Sequence, residues 1–323
     1  MADASARKVC VLLTSAGVAT AVNVMSALRQ ARSLSCRLVA VDKNPLAVGL
    51  YLADKGETVP QAGTPEYLER LLDLARREGA EFIFPLHSSE TVFFARNARA
   101  FRSAGLRLLV PDPEVAELCA DKLLFGDYLA AKGYRHPRTL PLPLPTDARF
   151  PLFLKPRSSS SSKNACKVDD KEDLYYLLRK VKDPIVQEYC PGREYTVDCL
   201  RHAGCIYACA PRVRVLVKDG KSMVGLTVDH PALEAEVRRL LDDLDYEGPC
   251  NVQCIEDEEG GISIIEINPR LAAGGLPLTV RAGANIPEMM VRLGLGLGVA
   301  PVDKVRPGVY MLRYLDEVFT EKG

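Results

Sequence analysis

Two hydrophobic periods run along this chain, and the point where one gives way to the other divides it. In the first third, short apolar runs at Val9–Thr14, Cys36–Asp42, Phe82–Pro85 and Arg107–Val110 read as buried strands. Between them, Ala19–Arg32, Pro65–Glu78 and Thr91–Ala104 carry apolar residues at helical spacing. Strand and helix in alternation predict a small parallel, doubly wound sheet, an α/β unit over residues 1–111. The break at Pro111-Asp-Pro113 starts a second unit, residues 112–186, in which Glu114–Lys132 predicts two short helices carrying Asp121 and Lys122. Pro137–Pro145 is a stiff, proline-rich connector. From Phe150 onward strands dominate, with helices at Lys171–Val181, Pro231–Leu244 and Pro287–Leu293, which predicts an α+β remainder with a third unit at 187–323. No internal repeat is visible.

A length of 323 residues suits two or three packed units rather than one small core. The 42 basic and 42 acidic residues cancel, which argues against a nucleic-acid or membrane-surface partner, since either usually needs a basic excess. No apolar run is long enough to span a bilayer, and the first residues lead directly into a strand pattern, so a cytosolic protein is expected. Most of the ten cysteines, Cys10, Cys36, Cys199, Cys205 and Cys209 among them, sit in apolar runs where a reduced thiol acts as a small hydrophobe. Cys205 with Cys209 and Cys250 with Cys254 repeat a four-residue offset, but on strands that offset merely selects a face, and no His stands at a zinc-ligand spacing.

The chemistry concentrates in Ile262–Arg270. Glu266 and Asn268 are two apart on an apolar strand, so they share a face and present oxygens side by side. A hairpin turning at Asp257–Gly261 and centred between Glu259 and Gly260 places Gln253 opposite Glu266. Three oxygen ligands with one formal charge suit Mg2+ held jointly with phosphates. Lys155 ends the strand Pro151–Pro156 and precedes Ser158–Ser162, a loop of small residues whose N–H and hydroxyl groups can wrap phosphate. A serine-rich linker is the bland alternative. Pro184–Asp198 runs strand, turn, strand, a hinge able to offer backbone groups to an adenine edge and Glu194 to a ribose. Arg212 and Arg214 share a face of a further strand; the alternative there is an exposed charged strand. His87 stands at a strand's C-terminal end, where α/β ligands bind, and is equally suited to a structural loop role. Thr14–Gly17 followed by Asp42 imitates a dinucleotide fingerprint, but with one glycine where three are needed.

These pieces, in this order, resemble the ATP-grasp superfamily, in particular stand-alone relatives of the carbamoyl phosphate synthase large chain. Asn251-Val-Gln253 followed by Glu266-Ile-Asn268-Pro-Arg270 is the most specific motif. The resemblance implies a Rossmann-like preATP-grasp domain at 1–111, and a two-lobed ATP-grasp fold with its small lobe at 112–186 and its large lobe at 187–323. It implies that Lys122 and Lys155 contact ATP phosphates and that Ser158, Ser159, Ser160 and Ser161 close over them. Gln187, Glu188 and Tyr189 become the adenine hinge, with Glu194 at the ribose. Gln253, Glu266 and Asn268 become ligands for Mg2+, with Mn2+ as an alternative. Arg270 would face the reacting phosphoryl group as the main catalytic residue, helped by Arg212 and Arg214. One departure stands out: the family loop is usually glycine-rich, and this one is serines.

The implied chemistry is ADP-forming C–N bond formation: ATP activates a carboxylate, and an amine attacks the acyl phosphate. Phosphoryl transfer needs positioning and charge neutralisation rather than a Ser-His-Asp set. The expected partners are a small carboxylic acid and an amine or amino acid, with a homodimer as an open expectation. The chain ends at Gly323 without the further domains of a complete carbamoyl phosphate synthase, so action as a separate enzyme is expected. Rival readings are a carboxylate or carbamate kinase, an inactive nucleotide-binding module and, more distantly, a NAD-dependent oxidoreductase.

Overall fold

A computed structural model describes residues 7–158, 164–218 and 220–321. The alternating first third folds as β1 (Arg7–Leu13), α1 (Ala19–Arg29), β2 (Leu34–Asp42), α2 (Val48–Leu52), β3 (Lys55–Thr58), α3 (Pro65–Glu78), β4 (Phe82–Phe84), α4 (Ser88–Arg96) and α5 (Ala98–Ser103). The four strands form one parallel sheet in the order β3-β2-β1-β4. It is doubly wound, which explains the unbroken apolar runs of β1 and β2, because both faces are covered. Tyr67, Leu71 and Leu74 of α3, with Phe94 and Phe101, cover one face. Val24, Met25 and Leu28 of α1 cover the other.

Three details depart from the sequence pattern. Thr91–Ala104, expected as one helix, is two, α4 and α5, broken at Asn97, whose side chain turns back to donate to the Phe93 carbonyl. The first of these begins three residues early because His87 and Glu90 form a reciprocal cap. Arg107–Val110, expected as a strand, contributes only one bridge to Phe82 and otherwise runs as buried irregular chain.

The remainder is antiparallel. After α6 (Pro113–Ala120) and α7 (Lys122–Ala131) come β5 (Thr139–Leu140), β6 (Leu152–Pro156), β7 (Cys166–Val168), α8 (Lys171–Lys180) and β8 (Pro184–Glu188). These strands make a small sheet in the order β5-β8-β6-β7, with its own core of Leu152, Leu154, Val168, Leu174 and Val186. Then β9 (Arg193–His202), β10 (Cys205–Lys218), β11 (Lys221–Thr227), α9 (Pro231–Asp243), β12 (Gly248–Glu256), β13 (Ile262–Asn268), α10 (Leu276–Arg281), α11 (Ile286–Gly294) and β14 (Tyr310–Leu312) complete the chain. Six of them build a sheet in the order β13-β12-β9-β10-β11-β14.

Strand parity splits this large sheet into two faces. Tyr195, Val197, Cys199, Cys209, Val252, Cys254 and Ile264 pack against Val237, Leu240 and Leu241 of α9 and against Phe125 and Leu129 of α7. The opposite face carries the polar residues of the site near its centre. Toward its far end that face turns apolar, with Leu200, Ala208 and Ala210 sharing a core with α1, α10 and α11. The N-terminal sheet is therefore fused to the large sheet by a common core. All ten cysteines are free thiols. Burial holds Cys119 and Cys254 well above the usual thiol range, consistent with packing residues rather than nucleophiles.

Candidate functional site

The β12–β13 hairpin sets the geometry. Asp257 caps its turn by accepting from the Glu259 and Gly261 amides. Asn251 pairs with Asn268, Val252 with Ile267 and Gln253 with Glu266, as the sequence predicts. Nearer the turn the register slips by one, Cys254 pairing with Ile264, so Ile265 is the extra residue of a bulge. The bulge puts Ile265 beside Glu266 in one cavity wall, where strict alternation would have opposed them. Glu266 accepts from Asn268 Nδ2 at 3.0 Å, and Asn268 Oδ1 lies 3.4 Å from Arg270 Nη2.

Facing this hairpin is Lys155, at the end of β6. Leu152 and Leu154 of that strand point into the small sheet's core, so parity turns Phe153 and Lys155 toward the cavity. Lys155 is only 4 % exposed. Burial lowers its ammonium pKa to about 8, partly offset by the attraction of Glu266 and deepened by the repulsion of Lys122. Lys122 opens α7, where Asp121 caps the helix by accepting from Leu123 and Leu124 N–H. Arg157 grips Asp121 through Nε at 2.8 Å and Nη2 at 2.6 Å, and its carbonyl accepts the Lys122 amide. The start of the serine loop is thus tied to the helix that carries Lys122.

The third wall is the segment leaving β8. The Gln187 amide donates to Thr139 Oγ1 and the Pro137 carbonyl, while Glu188 pairs with Arg138. Lys122, Lys155, Gln187, Glu188, Tyr189, Glu194, Arg214, Gln253 and Glu266 line one cavity of about 290 Å3, with Phe153, Val217, Ile255 and Ile265 supplying apolar surface. Eight of these nine charged or polar lining residues come from segments far apart in sequence that were expected to share a nucleotide and its Mg2+; Arg214 was expected to assist catalysis. The cavity's mixture of apolar walls and a few converging charges is that of a small-molecule site.

Asn268 lies in the wall of an adjoining cavity of about 260 Å3, which Lys122, Glu266 and Ser158 also line. Arg270 reaches across to the N-terminal unit, donating from Nε to Ser88 Oγ at 2.5 Å. Burial lowers the Arg270 pKa, with Glu266 drawing it back up. His87 caps α4 and its ring lies beside Ser89; burial lowers its pKa, and Glu90 opposes that shift. Arg212 lies outside both cavities, buried against Asp198 in a two-contact pair at 3.1 and 3.2 Å, which excludes the exposed-strand alternative for it. Arg214 pairs with Glu194. Ser159, Ser160 and Ser161 fall outside the described residues. Among the described residues no cluster of three or more His, Cys, Asp or Glu could hold a metal by itself. A larger cavity, about 680 Å3, lies behind the hinge, where Arg135 and Arg138 are already taken by Asp257 and Glu188.

Sequence reasoning missed Phe153, Cys190, Ile265 and Ser88. Phe153 was findable, two residues before Lys155 on the same strand. Ser88 was not, because its contact joins residues 182 apart.

Residues 180–316 match the family model described as ATP-grasp in the biosynthetic pathway with Ter operon, and residues 11–109 match the PylC-like N-terminal domain. The two antiparallel sheets thus carry an ATP-grasp domain, and the parallel N-terminal sheet is a PylC-like N-terminal domain. It is 25% identical over 292 residues to a 3-methyl-D-ornithine–L-lysine ligase of Methanosarcina barkeri, covering 89% of this chain and 74% of that one. Over 172 residues it is 23% identical to the N-terminal section of the carbamoyl phosphate synthase large chain of Methanopyrus kandleri, spanning 48% of this chain and 30% of that protein. The biotin carboxylase domain of a Hydrogenobacter thermophilus 2-oxoglutarate carboxylase, solved with MgADP, superposes with a TM-score of 0.72 at 18% identity, covering 93% of this chain and 73% of that one. No helix among the described residues is long and apolar enough to cross a membrane.

Proposed function

We propose that the protein is an ATP-dependent carboxylate–amine ligase, releasing ADP and phosphate. The observation that carries this is the convergence of Lys122, Lys155, Gln187, Glu188, Tyr189, Glu194, Gln253 and Glu266 on one cavity. In this reading the apolar walls and the hinge Gln187–Tyr189 receive the adenine, Glu194 the ribose, and the two lysines the phosphates, with Ser158 at the start of the covering loop. Ser159, Ser160 and Ser161 are assigned to that loop from sequence.

The donor set Gln253, Glu266 and Asn268 suits Mg2+ shared with phosphates: all carry side-chain oxygens, one is anionic, and Glu266 borders both the cavity lined by Gln253 and the adjoining one lined by Asn268. When bound, the ion would supply charge neutralisation at the transferring phosphoryl group. The chain's own residues then do the rest. Lys155 and Arg270, both desolvated, offer fixed positive charge where negative charge spreads during transfer. A carboxylate oxygen attacks the γ-phosphorus, and ADP leaves. The amine nitrogen attacks the acyl carbon, the C–O bond to phosphate breaks, and nitrogen loses a proton. In this reading Arg270, whose guanidinium contacts Ser88 and Asn268, holds the oxyanion of that second step. Arg214 acts through Glu194, and Arg212 through the Asp198 pair, as positioning groups.

The test is ADP release from MgATP with individual amino acids and amines, with products identified by mass spectrometry. A condensed product with stoichiometric ADP and phosphate is expected. An acyl phosphate as end product indicates a kinase, and MgATP binding without turnover indicates a nucleotide-binding module.

A further inference from the structure

The α9 face of the large sheet is covered at one side and bare at the other. Val213 of β10 belongs to the core beneath α9, and directly across from it on the next two strands stand Leu226 and Tyr310. One rung along, Leu216, Val224 and Leu312 stand opposite one another. Opposed residues share a face, so the apolar surface of that core continues outward across β11 to β14. Val224, Leu226, Tyr310 and Leu312 nevertheless join none of the hydrophobic cores among the described residues. Leu216, Tyr310 and Leu312 are more than half exposed, as is Tyr314 two residues on. The strand itself is held in place: Arg313, between Leu312 and Tyr314, donates to the Ala273 and Gly274 carbonyls.

The outer edge of β14 is open as well, because β14 is the last strand of its sheet. The Arg313 amide donates inward to the Met223 carbonyl. In the antiparallel pattern Tyr310, Leu312 and Tyr314 then turn their amides and carbonyls away from β11. An open edge is usually guarded by charge, proline or a bulge, whereas this one presents two tyrosine rings and a leucine. The chain continues with Leu315 and Phe319, 87 % and 92 % exposed. With Leu216, Tyr310, Leu312 and Tyr314 they offer on the order of 800 Å2, more than the largest apolar patch of an ordinary monomer and about one partner's share of a standard interface. The 42 basic and 42 acidic residues leave copies of the chain without net repulsion.

We infer that β14 and the residues after it form a homodimer interface, in which two copies pair their β14 edges antiparallel about a two-fold axis at Leu312. In that register Tyr310 faces the partner's Tyr314 and Leu312 faces the partner's Leu312, so outward backbone groups meet outward groups and apolar side chains meet apolar ones. A shift of the pairing by one residue would set outward groups against inward ones. The inference stands apart from the ligase reading. Sedimentation equilibrium of the full chain up to about 100 μM should show twice the chain mass, since interfaces of this size reach a micromolar Kd or tighter. Leu312→Lys opposes two ammonium groups and should return the monomer mass with unchanged circular dichroism, because Leu312 is 76 % exposed within one chain. Leu312→Cys treated with diamide, which takes up two hydrogens as two thiols join, should give a covalent dimer on non-reducing gels, because opposed strand residues lie within disulfide reach. The wild type and Leu46→Cys, at an exposed position of the N-terminal unit, should give none. A wild type that stays monomeric at about 100 μM overturns the inference and leaves the surface to a different protein. A dimer that survives Leu312→Lys, or that Leu312→Cys fails to crosslink, places the interface elsewhere and overturns it equally.

Discussion

Burying an ammonium group is expensive unless an anion meets it, and among the described residues the carboxylate that draws on Lys155 is Glu266, across a cavity. In the unfolded chain its proton stays until a pH near 10.4, whereas in the fold it leaves near 8. Between those values the unfolded state binds more protons, so this group's contribution to stability rises with pH: burial costs most when Lys155 is charged. Nucleotide binding has the opposite sign, because phosphate favours the charged form. ATP affinity should therefore weaken as pH rises above about 8, approaching tenfold per pH unit. Lys155→Arg, whose guanidinium keeps its charge, should flatten that dependence. Matching pH profiles for the two proteins, measured by calorimetry, would place the titration elsewhere.

At the scale of elements, the hairpin was legible because two signals agreed: alternation along Ile262–Asn268 and a turn at Asp257–Gly261. Their agreement fixed the Gln253–Glu266 pair. The bulge at Ile265 was not legible, since nothing in an isoleucine run marks which residue is the extra one. Five short elements also escaped. The strands β3, β5 and β14, of four, two and three residues, are recruited by neighbours already in place, and α2 and α10 are too short to show a helical period. The turn from β8 into β9 depends on Gly192, at φ +146°, where an added Cβ would lie 2.2 Å from the Glu256 carbonyl oxygen. Gly192→Ala should cost about 1–3 kcal/mol and disturb the hinge, lowering the melting temperature and weakening ATP binding together. A variant with both unchanged would mean that this turn tolerates a side chain and does not set the hinge.

At the scale of the molecule, the site exists because three units meet. The small sheet brings Lys155, α7 brings Lys122, and the large sheet brings Glu266 and Asn268, while Ser88 of the N-terminal unit secures Arg270. The sequence held the individual residues; their convergence comes from the packing of the N-terminal sheet and of α7 against the large sheet and from the placing of the small sheet across the cavity, which no local pattern encodes. The Arg212–Asp198 pair illustrates the same limit, because strand parity gave its face but not the carboxylate that occupies it. The central claim is that Glu266 anchors a divalent cation shared with ATP. Titrating ATP into the wild type and Glu266→Gln by calorimetry, with Mg2+ and with EDTA, measures it directly. The wild type should bind at least about tenfold more tightly with Mg2+, and the folded variant should lose most of that difference, since Gln removes the only formal charge from the set. An equal dependence on Mg2+ in both proteins would contradict the assignment of Glu266 as the anchor.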